Sequence, residues 1–153
     1  QHFRSDSFAL ALNGDGNSLG FAQIIDEYGS KAGESVYMYA GISELQLGNY
    51  ENAISYLKKY DGNDPIMKAR SISNIGDAYA GLENYKEALS FYLKAADFAD
   101  NTFAAGYLLK AGIMYEELGD TAKAVETYKT IKDKYPQSVE GYDIDKYISR
   151  LTL

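Results

Sequence analysis

The side chains that could carry acid–base chemistry in this 153-residue chain are mainly carboxylates, because the sequence has no cysteine and a single histidine. His2 lies next to the N-terminus, and one histidine cannot form a His-based catalytic or zinc arrangement. The pairs Asp26-Glu27 and Glu116-Glu117 are adjacent in predicted helices, where neighbouring residues do not face each other. We therefore predict that these pairs are solvated, that the protein is not an enzyme and that it needs no cofactor.

One segment, Asn13-x-Asp15-x-Asn17, has the alternating oxygen donors of a calcium loop. An EF-hand loop also needs Gly at its sixth position and Glu at its twelfth, where this chain has Ser18 and Ile24. A Gly- and Asn-rich turn that interrupts a helix explains the same residues without a metal. We favour the turn and predict no metal site.

The composition limits the class of partner. The net charge is −7 and the pI about 4.7, so a nucleic-acid backbone or an anionic membrane surface would be repelled. The sequence has no run of about 18 apolar residues of the kind that spans a bilayer. Its first residue is Gln1 rather than Met, which indicates a processed product or a chain whose leading segment was removed.

The elements that would position any site follow from a repeat that occurs three times. In each copy an apolar stripe leads to a Gly, then to a Leu-x-Asn or Leu-x-Asp turn, then to an Ala with a large residue four positions later. The glycines Gly41, Gly76 and Gly112 recur at intervals of 35 and 36 residues. A repeat of this length predicts a stack of similar helical units.

The spacing within each copy predicts two antiparallel helices. Apolar residues in the first half recur at i, i+3 and i+7, which is one face of a 3.6-residue period. A glycine inside a helix costs roughly 1 kcal/mol relative to alanine, so we expect the partner helix to approach closely at each glycine. The small side chains of Ala53, Ala88 and Ala124 are predicted to face these glycines.

The predicted turns contain helix stop and start signals. The Leu-Gly-Asn and Leu-Gly-Asp turns are expected to end one helix with a left-handed glycine. Asn84 with Glu87 three residues later has capping-box spacing. The residues predicted to cap the following helices are Asn49, Asp64, Asn84 and Asp120.

The three copies resemble the tetratricopeptide signature, W-x-x-L-G-x-x-Y…A-x-x-x-F…P over about 34 residues. Tyr37, Ile72 and Leu108 stand in place of the tryptophan, and Glu44 in place of the first tyrosine. Asp100 stands where the second copy should have its proline. The resemblance implies an all-α fold, a right-handed tetratricopeptide-repeat (TPR) superhelix, or α-solenoid, of antiparallel helix pairs.

We predict one TPR domain, residues 1–153, with atypical ends. The C-terminal stripe of Ile144, Tyr147, Ile148 and Leu151 is typical of a helix that caps the last apolar face. Near the N-terminus the pattern of a second helix recurs with about six extra residues, which indicates an interrupted partial unit. The predicted boundaries are 4–33 for this partial unit, 34–68, 69–104 and 105–138 for three repeats, and 139–153 for the capping helix.

Most of the fifteen tyrosines fall at packing positions of the repeat, and we interpret them as core residues rather than as a ligand-stacking surface. Among these predicted core tyrosines are Tyr37, Tyr79, Tyr92, Tyr115 and Tyr128.

The resemblance also implies a concave groove lined by the first helix of each unit. The family's carboxylate clamp, which binds chaperone C-termini, has Lys and Asn where this chain has Met38 and Ile42, so that partner class is not expected. A partly apolar groove with an acidic edge remains, which suits a helix or extended peptide with apolar anchors. The alternative is that Met38, Ile42 and Leu45 are core residues covered by residues 19–29. The candidate groove residues are Met38, Ile42, Leu45, Arg70, Ser73, Asp77, Leu109, Ile113 and Glu116.

The joints at residues 26–33 (DEYGSKAG) and 133–138 (DKYPQS) resemble those of bacterial cell-envelope TPR proteins. The resemblance is to the membrane-anchored, YfgM-like family that associates with the secretion translocon and periplasmic chaperones. A similar joint occurs in the TPR lipoprotein of the outer-membrane β-barrel assembly machinery. This implies a non-enzymatic adaptor for a protein partner in the bacterial envelope or periplasm, held by an upstream membrane anchor. The alternatives are a cytoplasmic location, and a carrier of a small ligand or carbohydrate, as in TPR relatives of carbohydrate-uptake lipoproteins.

Overall fold

The computed structural model of the protein describes residues 34–99 and 103–153. These two ranges contain seven α-helices and no strand. The partial unit predicted for 4–33, His2 and the turn at 13–18 lie outside the described residues. The helices are α1 (Glu34–Gln46), α2 (Tyr50–Lys59), α3 (Pro65–Gly81), α4 (Tyr85–Ala99), α5 (Ala104–Glu117), α6 (Thr121–Lys134) and α7 (Val139–Thr152).

Three helix pairs, α1/α2, α3/α4 and α5/α6, are followed by the single helix α7. Each helix packs against the next one in the chain, while α1 also contacts α3 and α5 also contacts α7. The order of contacts is that of the predicted all-α TPR solenoid, with the odd-numbered helices side by side. The predicted boundary between residues 68 and 69 falls inside α3, because Pro65 begins that helix and Asp64 caps it.

The two helices of each pair come closest at a glycine. A Cβ atom at Gly76 would lie 2.8 Å from Cε1 of Tyr92 and 3.3 Å from the carbonyl oxygen of Ala88. The predicted close approach is present, but the group that needs the space is the large side chain four residues after the alanine. Because that side chain fills the gap, the alanine contributes its backbone rather than its methyl group. The corresponding large residues at Gly41 and Gly112 are Leu57 and Tyr128.

Three of the four predicted N-cap side chains accept a hydrogen bond from a backbone N–H group. Asp64 and Asp120 accept hydrogen bonds from backbone N–H groups two and three residues later, at 2.9 and 3.1 Å. Asn84 accepts from the N–H of Glu87 at a longer 3.4 Å. Asn49 is the N-cap residue of α2, as predicted, but its side chain accepts no cap hydrogen bond. The order is consistent with a carboxylate being a stronger acceptor than a neutral amide.

Within the residues that the structure describes, the apolar core consists of three clusters along the stack. The helix α7 closes the third cluster, since Ile144 is buried there and Tyr147, Ile148 and Leu151 pack against it. The predicted C-terminal stripe is therefore confirmed. The first cluster comprises Met38, Ala53, Ile54, Leu57, Tyr60, Ile75 and Ala78, the second Ala88, Tyr92, Ala111 and Met114, and the third Ala105, Ala124, Tyr128, Ile131 and Ile144.

Candidate functional site

The odd-numbered helices α1, α3, α5 and α7 form one surface, which we call the inner face. Two cross-helix carboxylate bridges define its central part, one centred on Asp77 and one on Glu116. All nine candidate groove residues belong to α1, α3 or α5.

Asp77 connects three helices. The hydroxyl of Tyr92 on α4 donates to Asp77 Oδ1 at 2.6 Å. The Lys110 ammonium on α5 donates to both carboxylate oxygens, at 3.0 and 3.2 Å. Because both oxygens are occupied by donors from its own chain, Asp77 holds α3, α4 and α5 together and presents little free negative charge.

Glu116 repeats this arrangement one unit later. The hydroxyl of Tyr128 on α6 donates to Glu116 Oε2. Arg150 Nη2 on α7 donates to both carboxylate oxygens at 2.8 Å. The prediction that Glu116 and Glu117 are both solvated is wrong for Glu116, whose side chain is 22% exposed, and holds for the exposed Glu117.

The two bridging tyrosines are held in the neutral form. Burial raises the pKa of Tyr92, and the charge and hydrogen bond of Asp77 raise it further. Burial and the hydrogen bond to Glu116 raise the pKa of Tyr128 in the same way, while Arg150 opposes the shift. A neutral phenol keeps its donor hydrogen, so both bridges persist through the neutral pH range.

Sequence reasoning identified these tyrosines as core residues but missed their hydroxyl bonds. A signal was present, because Tyr92 and Tyr128 occur in the two units that have an acid one or four residues after the central glycine, Asp77 and Glu116. The first unit has Leu57 at the equivalent position, together with Ile42 and Leu45. These positions therefore change together. They are all apolar in the first unit, whereas the second and third units each combine an acid with a tyrosine.

The structure separates the candidate groove residues by burial. Met38 is fully buried in the first cluster together with residues of α2 and α3, so it is a core residue; the cover by residues 19–29 that the alternative names lies outside the described residues. Ser73 is 2% exposed and is likewise not part of the open surface. Arg70 is exposed. The half-buried members are Ile42, Leu45, Asp77, Leu109, Ile113 and Glu116.

Two polar atoms near these candidates are buried without a hydrogen-bond partner, Ser73 Oγ and Asn74 Nδ2. No group of three His, Cys, Asp or Glu residues within 34–99 and 103–153 could hold a metal ion. Over the same ranges, no helix is long and apolar enough to cross a membrane. A shallow cavity of about 330 Å³ lies beside Lys146, Tyr147 and Arg150 at the α7 edge.

Two family profiles, each described as tetratricopeptide repeat, match the chain. One matches residues 34–66 and 69–102, and the other matches residues 107–138. The chain therefore belongs to the tetratricopeptide-repeat family. Its described helices form the kind of helical stack that serves as a protein–protein interaction scaffold.

Curated relatives are similar over part of their length. The chain is 30% identical over 98 residues to the 43 kDa receptor-associated protein of the synapse from Gallus gallus, covering 58% of this chain and 23% of that protein. It is 31% identical over 96 residues to a TPR repeat-containing protein of Methanocaldococcus jannaschii, MJ1428, covering 63% of this chain and 16% of the relative. The chain thus spans less than a quarter of either relative.

Solved structures of the protein MamA have the same fold. One has a TM-score of 0.65 at 20% identity, over 86% of this chain and 82% of that one. A second has a TM-score of 0.61 at 19% identity, over 99% of this chain and 87% of that one. At this level of identity the likeness concerns the fold alone.

Proposed function

We propose that this chain is a non-enzymatic adaptor that binds a segment of a partner protein along its inner face. The observation that supports this most directly is the inner face itself, which has the exposed Arg70 on α3 and half-buried apolar side chains on the flanking helices, namely Ile42 and Leu45 on α1 and Leu109 and Ile113 on α5. Asp77 and Glu116 are neutralised by Lys110 and Arg150 from their own chain. The predicted acidic edge is thereby reduced, and the remaining surface suits a segment with apolar anchors.

The bridges also favour binding through preorganisation. Each bridge fixes two adjacent inner-face helices and the helix behind them, so the surface has its shape before a partner arrives. A partner then loses less free energy to ordering the binding surface than it would on a mobile one.

The test is photo-crosslinking with a benzophenone amino acid placed on either side of the stack. Placed at Arg70 on the inner face, it should give discrete protein adducts in the native host. Placed at Lys129, an exposed position on α6, it should give none of these adducts. Met38 is unsuitable as a site because it is fully buried. Equal adducts at both positions, or adducts only at Lys129, would contradict an inner-face function.

We further propose that the chain acts in the bacterial envelope, as a membrane-anchored periplasmic adaptor of the secretion or assembly machinery. The support is the likeness of the joints at residues 26–33 and 133–138 to those of envelope TPR proteins. The check is the coding sequence directly upstream of Gln1. A transmembrane or lipoprotein signal there supports the proposal, and a plain start codon contradicts it.

A further inference from the structure

Glu44 on α1 is a buried acid at a position where the repeat has an aromatic residue. It lies three residues after Gly41, and Tyr79 and Tyr115 occupy this position in the second and third units. Glu44 is 5% exposed, and its one side-chain hydrogen bond within the described residues comes from Asn52 Nδ2 at a long 3.4 Å. Carboxylates are almost never fully buried without a cation or several donors, because burial costs them their hydration. A departure of this kind from the pattern of the fold is typical of a functional position.

A cavity of about 270 Å³ lies at the turn between α1 and α2, and Asn52, the donor to Glu44, is one of its lining residues. The volume is several times what one water molecule needs. The cavity lies at the ends of helices, since Gly48 follows α1 and Leu82 follows α3, so it is separate from the inner face. The other lining residues are Asn49, Tyr50 and Glu51.

The lining of this cavity offers acceptors and an aromatic ring to a cation. Asn49 is exposed and its side chain makes no cap, while Asn52 donates through Nδ2 and keeps its Oδ1 as an acceptor. Glu51 adds an exposed carboxylate in the first turn of α2. Tyr50 is half-buried and packs so closely on Gly81 that a Cβ atom there would overlap the ring. Its ring is therefore held in place beside the acceptors, where it can contact a cation.

We propose that this cavity binds the guanidinium group of an arginine side chain from a partner protein, with Glu44 as the counter-ion. A guanidinium has five N–H donors in one plane and no acceptor, which matches a carboxylate, amide oxygens and an aromatic ring. It is more weakly hydrated than an ammonium, so it loses less when it enters a partly enclosed site. Because Asn52 is exposed, rotation of its side chain can exchange its long hydrogen bond to Glu44 for one from the guanidinium.

The net charge of −7 favours the approach of a basic partner to any part of this chain, so the test must separate the cavity from general attraction. The probe is blocked arginine, N-acetyl-arginine methylamide, titrated into the isotope-labelled full chain and followed by NMR. We expect saturable shifts of the backbone amides of residues 48–52 and of Leu82. Blocked citrulline has the same shape without the charge and should bind about tenfold more weakly or worse. Blocked lysine should also bind more weakly, because it lacks the planar set of donors.

Three variants locate the site and separate binding from structure. Glu44→Gln should weaken the binding of blocked arginine about tenfold or more, whereas Glu126→Gln removes an exposed acid on α6 and should leave it unchanged. Glu44→Gln keeps the shape of the side chain and removes a buried acid, so its unfolding midpoint in urea should stay equal or rise. Asn49→Ala should weaken binding without a change in the midpoint, because the Asn49 side chain makes no cap.

Each contrary result would overturn a stated part of the proposal. Calcium chloride that shifts the same amides where blocked arginine does not would assign the cavity to a metal ion. A lower unfolding midpoint for Glu44→Gln with unchanged binding would make Glu44 a structural residue. A gain in affinity in Arg4→Gln or Lys31→Gln would show that a cation of this chain fills the cavity in place of a partner's. No saturable shift at residues 48–52 would overturn the site itself.

The proposal does not depend on the function of the inner face. The two are tested by different readouts, since crosslinking at Arg70 reports on the inner face and the amides of residues 48–52 report on the cavity. Failure of one therefore leaves the other standing.

Discussion

Tyr92 and Tyr128 each do two things with one side chain. Their rings fill the space left by Gly76 and Gly112, and their hydroxyls reach acids on the neighbouring first helix. Because the hydroxyl is anchored at its far end, the ring has little freedom to move aside. The ring therefore cannot easily make room for a side chain at the glycine opposite it.

At the residue scale, we predict that Gly112→Ala destabilises the fold by about 1–2 kcal/mol. The added methyl group overlaps the ring of Tyr128, and such overpacking typically costs 1–3 kcal/mol, partly offset by about 1 kcal/mol of helix propensity. The measurement is the free energy of unfolding in urea.

The control for this prediction is Gly106→Ala in the same helix. There the nearest atom is the flexible Glu140 Oε1 at 3.3 Å, so nothing opposes the gain in helix propensity and we expect a change between zero and a stabilisation of about 1 kcal/mol. Equal stabilities for the two variants would show that Tyr128 adapts and that the glycine is not needed for close approach.

At the scale of the helical elements, the three turns inside the helix pairs share one backbone conformation. Gly48 and Gly119 have φ values of 81° and 79°, and Glu83 has a φ of 61° at the corresponding position. A left-handed backbone costs a non-glycine residue roughly 1–2 kcal/mol. The turn between α3 and α4 therefore carries strain that the other two turns avoid.

We predict that Glu83→Gly raises the free energy of unfolding by about 0.5–1 kcal/mol, since relief of strain exceeds the extra entropy of the unfolded chain. Glu83→Ala removes the charge but keeps the strain, so it should give no gain. Thermal and urea unfolding measure both variants. A similar gain from Glu83→Ala would assign the effect to charge instead of conformation.

Much of this architecture could be predicted from spacing alone. The helix pairs, the close approach at the glycines and the stripe on α7 follow from periodicities that lie within one unit of sequence. The bridges could not be predicted, because Asp77 and Lys110 belong to different units, and so do Glu116 and Arg150. Their contact depends on how adjacent helices are offset, which hydrophobic periodicity does not encode. The burial of Met38 could not be predicted either, since core and groove positions are neighbours on one helix.

At the scale of the whole molecule, the junctions between units are unequal. Charged bridges join α3 to α5 and α5 to α7, whereas α1 meets α3 through the first apolar cluster. The missing bridge has Ile42 in place of an acid and Asn74 in place of a cation. A charged bridge at this junction would need an acid at position 42 and a cation at position 74. A double-mutant cycle of these two substitutions can therefore test the junction.

We predict that Ile42→Asp and Asn74→Lys, combined, show a favourable coupling of about 0.5–1.5 kcal/mol relative to the two single variants. Ile42→Asp alone should destabilise, because Ile42 packs against the first cluster. Urea unfolding of the four proteins gives the coupling, and it should shrink at high salt. Strict additivity would mean that α1 and α3 are not offset as α3 and α5 are.

The two bridges differ in their position along the helices, and this affects how the chain can misassemble. The acid follows the central glycine directly in one bridge and comes four residues after it in the other. If α7 docked against α3 by skipping a unit, Arg150 would meet Ala80, the residue of α3 that corresponds to Glu116, and its charge would lose this partner. Identical repeats allow such slipped arrangements at little cost, and partly folded repeat proteins are prone to them. Because the two bridges differ in position, the correct order of units is also the one in which Asp77 pairs with Lys110 and Glu116 with Arg150.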